Sequence, residues 1–319
     1  MPIRPRAVPA RPTALPAAGL PAATEAPARL RVGVVGAGRV GALLGAALSA
    51  AGHEVVAASG VSAASAERAA RLLPGVPLLP ADEVVAASDL VVLAVPDDTL
   101  PGLVAGLAET GAWRRGQLLF HTSGAHGLAV LAPAERSGVL ALALHPAMTF
   151  SGAPEDAARL GAAPFGVTSR PEHRAVAETL VLEMGGDPFW IDEADRGLYH
   201  AALVTGANHL VTLVAEAADL LRAAGVDEPA RVLTPLLTAA LDNGLRRGDR
   251  GLTGPVSRGD VGTVAAHLDT LTERAPAAVD AYVALARRTT ERALAAGRLR
   301  RHEGAPLLEL LDSAEEAAR

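Results

Sequence analysis

The sequence predicts an α/β domain with a doubly wound, mostly parallel sheet, followed by an all-helical domain. Three observations predict it. Short apolar runs alternate with helical patterns from Arg31 to Ile191. A glycine loop, Gly36-Ala37-Gly38-Arg39-Val40-Gly41, closes the first run and opens the first helix. After Asp192 the strand-like runs stop, and helical periodicity continues toward the C-terminus.

The elements follow in order. Residues 1–28 hold Pro2, Pro5, Pro9, Pro12, Pro16, Pro21 and Pro27. Prolines this dense oppose helix and sheet alike, so 1–28 reads as a disordered Pro/Ala-rich tail without the apolar core of a signal peptide. Arg31–Val35 is a buried strand, and Val40–Ala51 a helix stopped by Gly52-His53. Glu54–Ala58 is the second strand. Helices over Ser65–Leu73 and Asp82–Ala87 lead to the most apolar strand, Asp89–Val95, which Pro96 stops. Leu100–Thr110 is a helix, and Gln117–His121 and Val139–His145 are strands. Phe165–Thr168, a helix over 172–184 and Pro188–Ile191 complete the alternation. Helices are expected over 193–224, 227–247, 258–273, 276–296 and 304–318, so the domains are 29–192 and 193–319. No apolar stretch is expected to approach the roughly 20 residues needed to cross a bilayer.

Composition excludes several chemistries. The chain has 319 residues, 29 basic against 35 acidic, and a net charge of −6. Every basic residue is arginine, and cysteine is absent. Schiff-base lysines, P-loop lysines, thiolate nucleophiles and Cys-ligated zinc are therefore excluded. The acidic balance gives no footprint for nucleic acid. No His, Asp and Glu cluster has metal-ligand spacing, so no metal is expected. Absence of cysteine is compatible with a reducing cytoplasm.

The glycine loop follows a strand and opens a helix, the context that makes G-x-G-x-x-G a dinucleotide (Rossmann) fingerprint. Gly36 allows the tight turn, Gly38 lets the backbone approach a pyrophosphate, and Gly41 lets helix pack on strand. Val40 lies between them, at the helix N-terminus that faces the phosphate. NAD binders tend to place an acid at the end of the second strand, whereas here it ends Ser59-Gly60-Val61-Ser62. Ser59 and Ser62 can bond a 2′-phosphate, and Arg39 and Arg68 can neutralise it, so NADP is the expected cofactor. Ser62 and Ser65 are also helix-cap candidates, with Ser65 the stronger. Val95 and Pro96, at a strand's carboxyl end, are expected near the nicotinamide. Asp97 and Asp98 are either cofactor neighbours or caps of the next helix.

Further segments occur in order: His121-Thr122-Ser123-Gly124, His145-Pro146-Ala147-Met148-Thr149-Phe150, Leu198-Tyr199-His200-Ala201-Ala202, Asn208, and Thr253-Gly254-Pro255-Val256-Ser257-Arg258-Gly259-Asp260. Together they resemble the Rossmann-like proteins with a DUF2520 C-terminal domain, over roughly residues 30–275. That family is similar in fold to ketopantoate reductases, prephenate dehydrogenases and the NADP oxidoreductases of the coenzyme F420 type. The resemblance implies a helical domain of the 6-phosphogluconate dehydrogenase C-terminal-like type, a homodimer, and a role for some relatives in pantothenate synthesis. Ketopantoate reductases use a lysine with an asparagine four residues later. Asn208 matches the asparagine, but Val204 stands at the lysine position.

The proton donor must then be something else. His200 lies about 12 Å along the helix from Asn208 and about 80° around it, if the helix is regular. Thr205, Asn208, Thr212 and Glu216 form a polar stripe that marks either a site or a helix–helix network. His145 is an acid, a substrate contact or a turn-holding residue. Ser123 and Gly124 can bond the nicotinamide or a substrate carboxylate, with His121 on the same strand face as Ser123 if the strand persists. Arg258 can grip a carboxylate or pair with Asp260, and Asp260 can cap the following helix. Asn243 with Gly244 is read as a helix end. The expectation is an NADP-dependent reductase of a small 2-keto acid such as ketopantoate, with substrate between the domains. A prephenate-like dehydrogenase and a non-catalytic NADP-binding regulator are the alternatives.

Overall fold

The computed structural model describes residues 29–317, so the segment 1–28 lies outside the described residues. The chain divides into two compact units at Gly197/Leu198.

In the first unit the elements are β1 (Arg31–Val35), α1 (Arg39–Ala50), β2 (Glu54–Ser59), α2 (Ala63–Leu72), α3 (Ala81–Ala87), β3 (Leu90–Leu93) and α4 (Leu100–Glu109). They continue as β4 (Leu118–His121), α5 (Ala132–Glu135), β5 (Leu140–Pro146), α6 (Glu155–Leu160), β6 (Pro164–Ser169), α7 (Arg174–Glu183) and β7 (Asp187–Trp190). The strands form one sheet in the order β2-β1-β3-β4-β5-β6-β7. All neighbours are parallel except β5 and β6. The expected alternation is present. Strand 89–95 is shorter than expected, and α5 and α6 are additional. Helices of four and six residues are too short to show a period.

Period-two alternation builds the core. Val32, Val34, Leu90, Val92, Phe120 and Leu142 bury one face against Leu44 and Leu48 of α1 and Leu180 of α7. Val35, Val91, Leu93, Leu119 and Ala141 bury the other against Val104 of α4, Val85 of α3 and Trp113. Both faces are covered, which is why the strands read as continuous apolar runs. At the outer strand, Arg174 stacks over the Trp190 ring at 4.6 Å. At the other edge, Ala58 of β2 bridges to Leu78.

One buried cation fastens the carboxyl-end region. Arg196, the first residue of α8 (Arg196–Leu203), is 1% exposed. Its Nε donates to Thr168 Oγ1 at 2.8 Å, and its Nη2 to the carbonyls of Ala143 and Gly166 at 2.9 and 3.0 Å. A longer bond from Nη1 reaches the Ser123 carbonyl at 3.4 Å. Thr168 in turn donates to Ile191 O at 2.7 Å.

In the second unit α8 passes through a π-helical turn, Val204–Asn208, into α9 (His209–Ala223). Then come α10 (Pro229–Arg247), α11 (Val261–Arg274), α12 (Val279–Ala295) and α13 (Arg301–Ala317). Val264, Leu268, Val283, Ala286, Ala293, Leu307 and Leu311 make its core. Neither α9 nor α10 joins that core. No residue of α9 is buried, and only Pro229 and Leu233 of α10 are.

Two expectations are corrected here. Asn243-Gly244 does not end a helix, because α10 runs on to Arg247 and stops at Gly248, whose φ is 54°. The longest apolar stretch was also underestimated. Residues 197–215 contain no Asp, Glu, Lys or Arg, and the helical run Glu193–Ala223 is long and apolar enough by length and composition to cross a membrane. His200, Asn208, His209 and the threonines interrupt the run by eye without adding charge.

Replacing Arg196 by leucine should leave the Ser123, Ala143 and Gly166 carbonyls without this donor. We expect a loss of about 3 kcal/mol, read as a lower urea midpoint at unchanged slope. A shift worth less than about 1 kcal/mol would remove Arg196 from its fastening role.

Candidate functional site

The site is built around the switch between β1 and β3, where strand order reverses. In open α/β sheets ligands bind outside the carboxyl ends of strands at this point. Each glycine of the loop has a distinct geometric reason. Gly36 has φ +96°, and a Cβ there would lie 2.5 Å from the Ala94 carbonyl oxygen. A Cβ on Gly41 would lie 2.1 Å from the Gly36 oxygen and 3.1 Å from Val34 Cγ1. Gly38 differs, since a Cβ there would lie 4.0 Å from the Gly36 oxygen, at the limit of contact. Gly38 is also the N-cap of α1, with no side chain bonding the first-turn N–H groups. The second glycine thus faces open space beside unused donors, the arrangement that suits a close-approaching phosphate.

Ser59 braces this loop from β2. Its carbonyl accepts from Gly36 N at 3.2 Å and Ala37 N at 2.7 Å, and its hydroxyl accepts from Gly36 N at 3.3 Å. Ser62, rather than Ser65, is the N-cap of α2. The two form a reciprocal capping box, Ser62 Oγ accepting from Ser65 N and Ser65 Oγ from Ser62 N. Ser62 therefore has a structural task, the capping of α2. Val95 lies against the loop, its Cγ1 3.2 Å from a Cβ built on Gly36, and Pro96 follows it exposed. Asp97 and Asp98 do not cap α4. Thr99 is its N-cap, and no side chain bonds the first turn.

At the end of β4, His121 is fully buried. Its Nε2 donates to Gly127 O at 2.8 Å, and its Nδ1 accepts from Ser123 N at 3.2 Å. Both bonds require the neutral Nε2–H form. Burial lowers its pKa from 6.5 to about 4, against the upward pull of the Gly127 bond and with a further downward push from Arg196. β4 ends at His121, so Ser123 and Gly124 lie in a turn that His121 organises and do not continue the strand face. Ser123 is buried, and its hydroxyl accepts from His126 N at 3.1 Å. Glu193 secures the same loop, accepting from Leu128 N at 2.6 Å and Ala129 N at 3.0 Å. His145 lies inside β5, half-buried and opposite Gly166, so it is not a turn residue.

In the second unit His200 is half-buried on α8. Thr205 and Asn208 lie in the π-helical turn, and both are exposed, as is Thr212. The polar stripe is therefore not a buried one. A π turn inserts about one residue into the helix, so His200 and Asn208 stand roughly 20° apart instead of 80°. Thr205 Oγ1 donates to Ala201 O at 2.8 Å. Asp260 caps α11, accepting from Thr263 N at 3.1 Å and Thr263 Oγ1 at 2.7 Å. Asp260 makes no ion pair with Arg258, which is exposed and has no ion pair among the described residues.

Arg196 and Glu193 were missed by sequence reasoning. Both sit at the start of a helical run, where charged residues normally face solvent. Gly127 is the one available hint, since a Cβ there would lie 2.1 Å from a Glu193 oxygen. Among the described residues no group of three His, Asp or Glu is placed to hold a metal.

The fold and loop define a Rossmann-type nucleotide-binding architecture joined to a helical unit. Comparison with family models places a Rossmann-like domain over residues 19–146 and the domain of unknown function DUF2520 over 163–289. The chain is thus a Rossmann-like protein carrying a DUF2520 domain, and that second domain begins before β6. No curated protein matches. Among solved structures, a Bacteroides fragilis protein assigned as an NADP oxidoreductase is 24% identical with a TM-score of 0.69, over 82% of this chain and 98% of its own. A Thermotoga maritima protein is 21% identical with a TM-score of 0.60, over 83% and 98%. An imine reductase of Myxococcus stipitatus, in complex with NADP+, is 20% identical with a TM-score of 0.57, over 82% and 94%. At these identities the likeness is one of fold.

His121 makes stability depend on pH. Above pH 6.5 folded and unfolded chains both hold neutral imidazole. As pH falls from 6.5 toward 4, the unfolded chain binds a proton that the fold refuses. The contribution is therefore fully present above 6.5 and lost on acidification, by about 3 kcal/mol in all. Urea midpoints measured across this window should fall, and His121→Gln should flatten the slope. An unchanged slope in the variant would show that His121 is not the group responsible.

Proposed function

We propose that the protein is an NADP-dependent reductase of a small 2-keto acid, with ketopantoate the first substrate to test. The observation that carries the cofactor reading is the open approach at Gly38, beside the uncapped first turn of α1. The absence of a carboxylate at the end of β2, with Arg39 and Arg68 near by, favours NADP over NAD. A bound nicotinamide would supply the hydride.

The chain's own residues would supply the rest. Arg258 offers a guanidinium fork for the substrate carboxylate. With no lysine available, His200 is the proton donor to the carbonyl oxygen, and Asn208 and Thr205 hydrogen-bond the substrate on the same helix. Ser123, Gly124 and His145 are the first unit's candidates for orienting nicotinamide or substrate. A second reading, a regulator that binds NADP without catalysis, is favoured by one observation: the chain has no lysine, and Val204 stands where the resemblance to ketopantoate reductases implies one.

The same reading includes a homodimer in the cytoplasm. The homodimer is supported by exposed large apolar residues on α8–α10: Leu198, Val211, Leu236 and Leu245 are 75, 70, 62 and 80% exposed.

NADPH at 100 times its Kd should stabilise the protein by about 2.7 kcal/mol in thermal melting, and stabilisation by NADH alone would refute the NADP assignment. NADPH oxidation should proceed with ketopantoate or another 2-keto acid. His200→Ala should lower kcat by at least about 100-fold. Tight NADPH binding without turnover on a panel of keto acids and a cyclic imine would overturn the reductase and leave the regulator.

A further inference from the structure

A separate pocket lies in the first unit, at the β6–β7 end of the sheet. Its volume is about 460 Å³, and Leu128, Ala132, Pro171, Trp190 and Ile191 give it an apolar wall. Thr168 of β6 also lines it, and β6 stands four strand places from β1 in the sheet. At about 4.8 Å per place that is about 19 Å across the sheet from the strand that carries the glycine loop. Trp190 is 38% exposed, so much of a large ring is open at the edge strand.

The charged residues of the pocket are Arg170, Arg174, Glu135, Asp192 and Glu193. Three of them are already answered. Arg170 and Glu135 form a fork-to-fork pair, Nε to Oε1 at 2.7 Å and Nη2 to Oε2 at 2.8 Å. Glu193 is taken up by the main-chain N–H groups of Leu128 and Ala129. The other two, Arg174 and Asp192, have no ion pair among the described residues, with each other or with any other group. Both are exposed. Arg174 lies over the Trp190 ring, and that contact uses none of the five guanidinium N–H donors in a hydrogen bond.

One free cation and one free anion beside an apolar wall select a ligand by its charges. A simple carboxylate would meet Arg174 but leave Asp192 unanswered, beside Glu135 and Glu193. A simple amine would answer Asp192 and stand against the charge of Arg174. A zwitterion answers both, because its carboxylate accepts from the guanidinium and its ammonium donates to the aspartate. The rest of the wall offers ring and aliphatic surface, which an apolar side chain covers. We propose that this pocket binds a free α-amino acid with an apolar side chain. The carboxylate lies on Arg174, the ammonium on Asp192 and the side chain against Trp190 and Leu128. The site stands apart from the cofactor reading and does not rest on it.

The test is calorimetric titration of the full chain with L-leucine, L-phenylalanine and glycine. Each apolar amino acid is paired with analogues that keep its side chain and one charge: 4-methylpentanoate and 3-methylbutylamine, 3-phenylpropanoate and 2-phenylethylamine. At least one of the two amino acids should bind about tenfold or more tightly than glycine and than its own analogues. Its binding should change the emission of Trp190, since Trp113, the other tryptophan, is buried. In Arg174→Gln the amino acid should lose its advantage over the amine, and in Asp192→Asn its advantage over the carboxylate, with thermal melting as the check on folding. Neither amino acid binding, glycine or an analogue binding as tightly as the amino acid, or an unchanged advantage in both folded variants would overturn the site.

Discussion

The guanidinium of Arg196 stands where the sheet changes from parallel to antiparallel. Its donors reach a hydroxyl and main-chain carbonyls contributed by β5, by β6 and by the turn after β4. A cation in low dielectric is tolerated only where dipoles are already aimed at it. Those dipoles belong to segments far apart in sequence, so they can be aimed only when the strands are in register. The same charge lies near His121 and disfavours its protonation. His121 therefore stays a neutral connector, accepting from Ser123 and donating to Gly127. Registering the strands, shaping the turn after β4 and starting α8 are thus linked through one side chain.

This linkage explains the limits of the sequence. The glycine loop was legible because its three glycines are demanded by local backbone geometry, and strand–loop–helix context lies within a few residues. The strands were legible because both faces of the sheet are apolar. Arg196 was not, because an arginine in a helical pattern resembles any solvent-facing arginine. Its burial depends on Ala143, Gly166 and Thr168, whose relevant atoms are mostly backbone and carry no residue signature. Asp97 and Asp98 failed for a related reason: a carboxylate before a helix reads as a cap, but the chain enters α4 in helical conformation at Thr99 and leaves them unused.

The second unit shows the opposite failure. Its helices were legible from period, but the period could not show which face is covered. A π turn is also invisible to a count that assumes 3.6 residues per turn, so the angular relation of His200 and Asn208 required coordinates. The exposed stripe on α9 and the small core of α11–α13 divide this unit into a part that packs on itself and a part that does not. The candidate polar residues all lie on or near the second part, or in the Gly/Pro loop before α11.

The outer margins of the sheet have a further physical consequence. β7 is four residues long, carries Pro188, which has no N–H to offer, and ends under the stacked Arg174–Trp190 pair. At the opposite margin the segment after α2 bridges to β2 through Leu78. Unpaired strand margins are templates for sheet growth between molecules, and short length, proline and cationic cover are the usual means of blocking it. A sheet this apolar thus ends at both margins without a long free ladder, which favours colloidal stability of the first unit while its strands remain rich in valine and leucine.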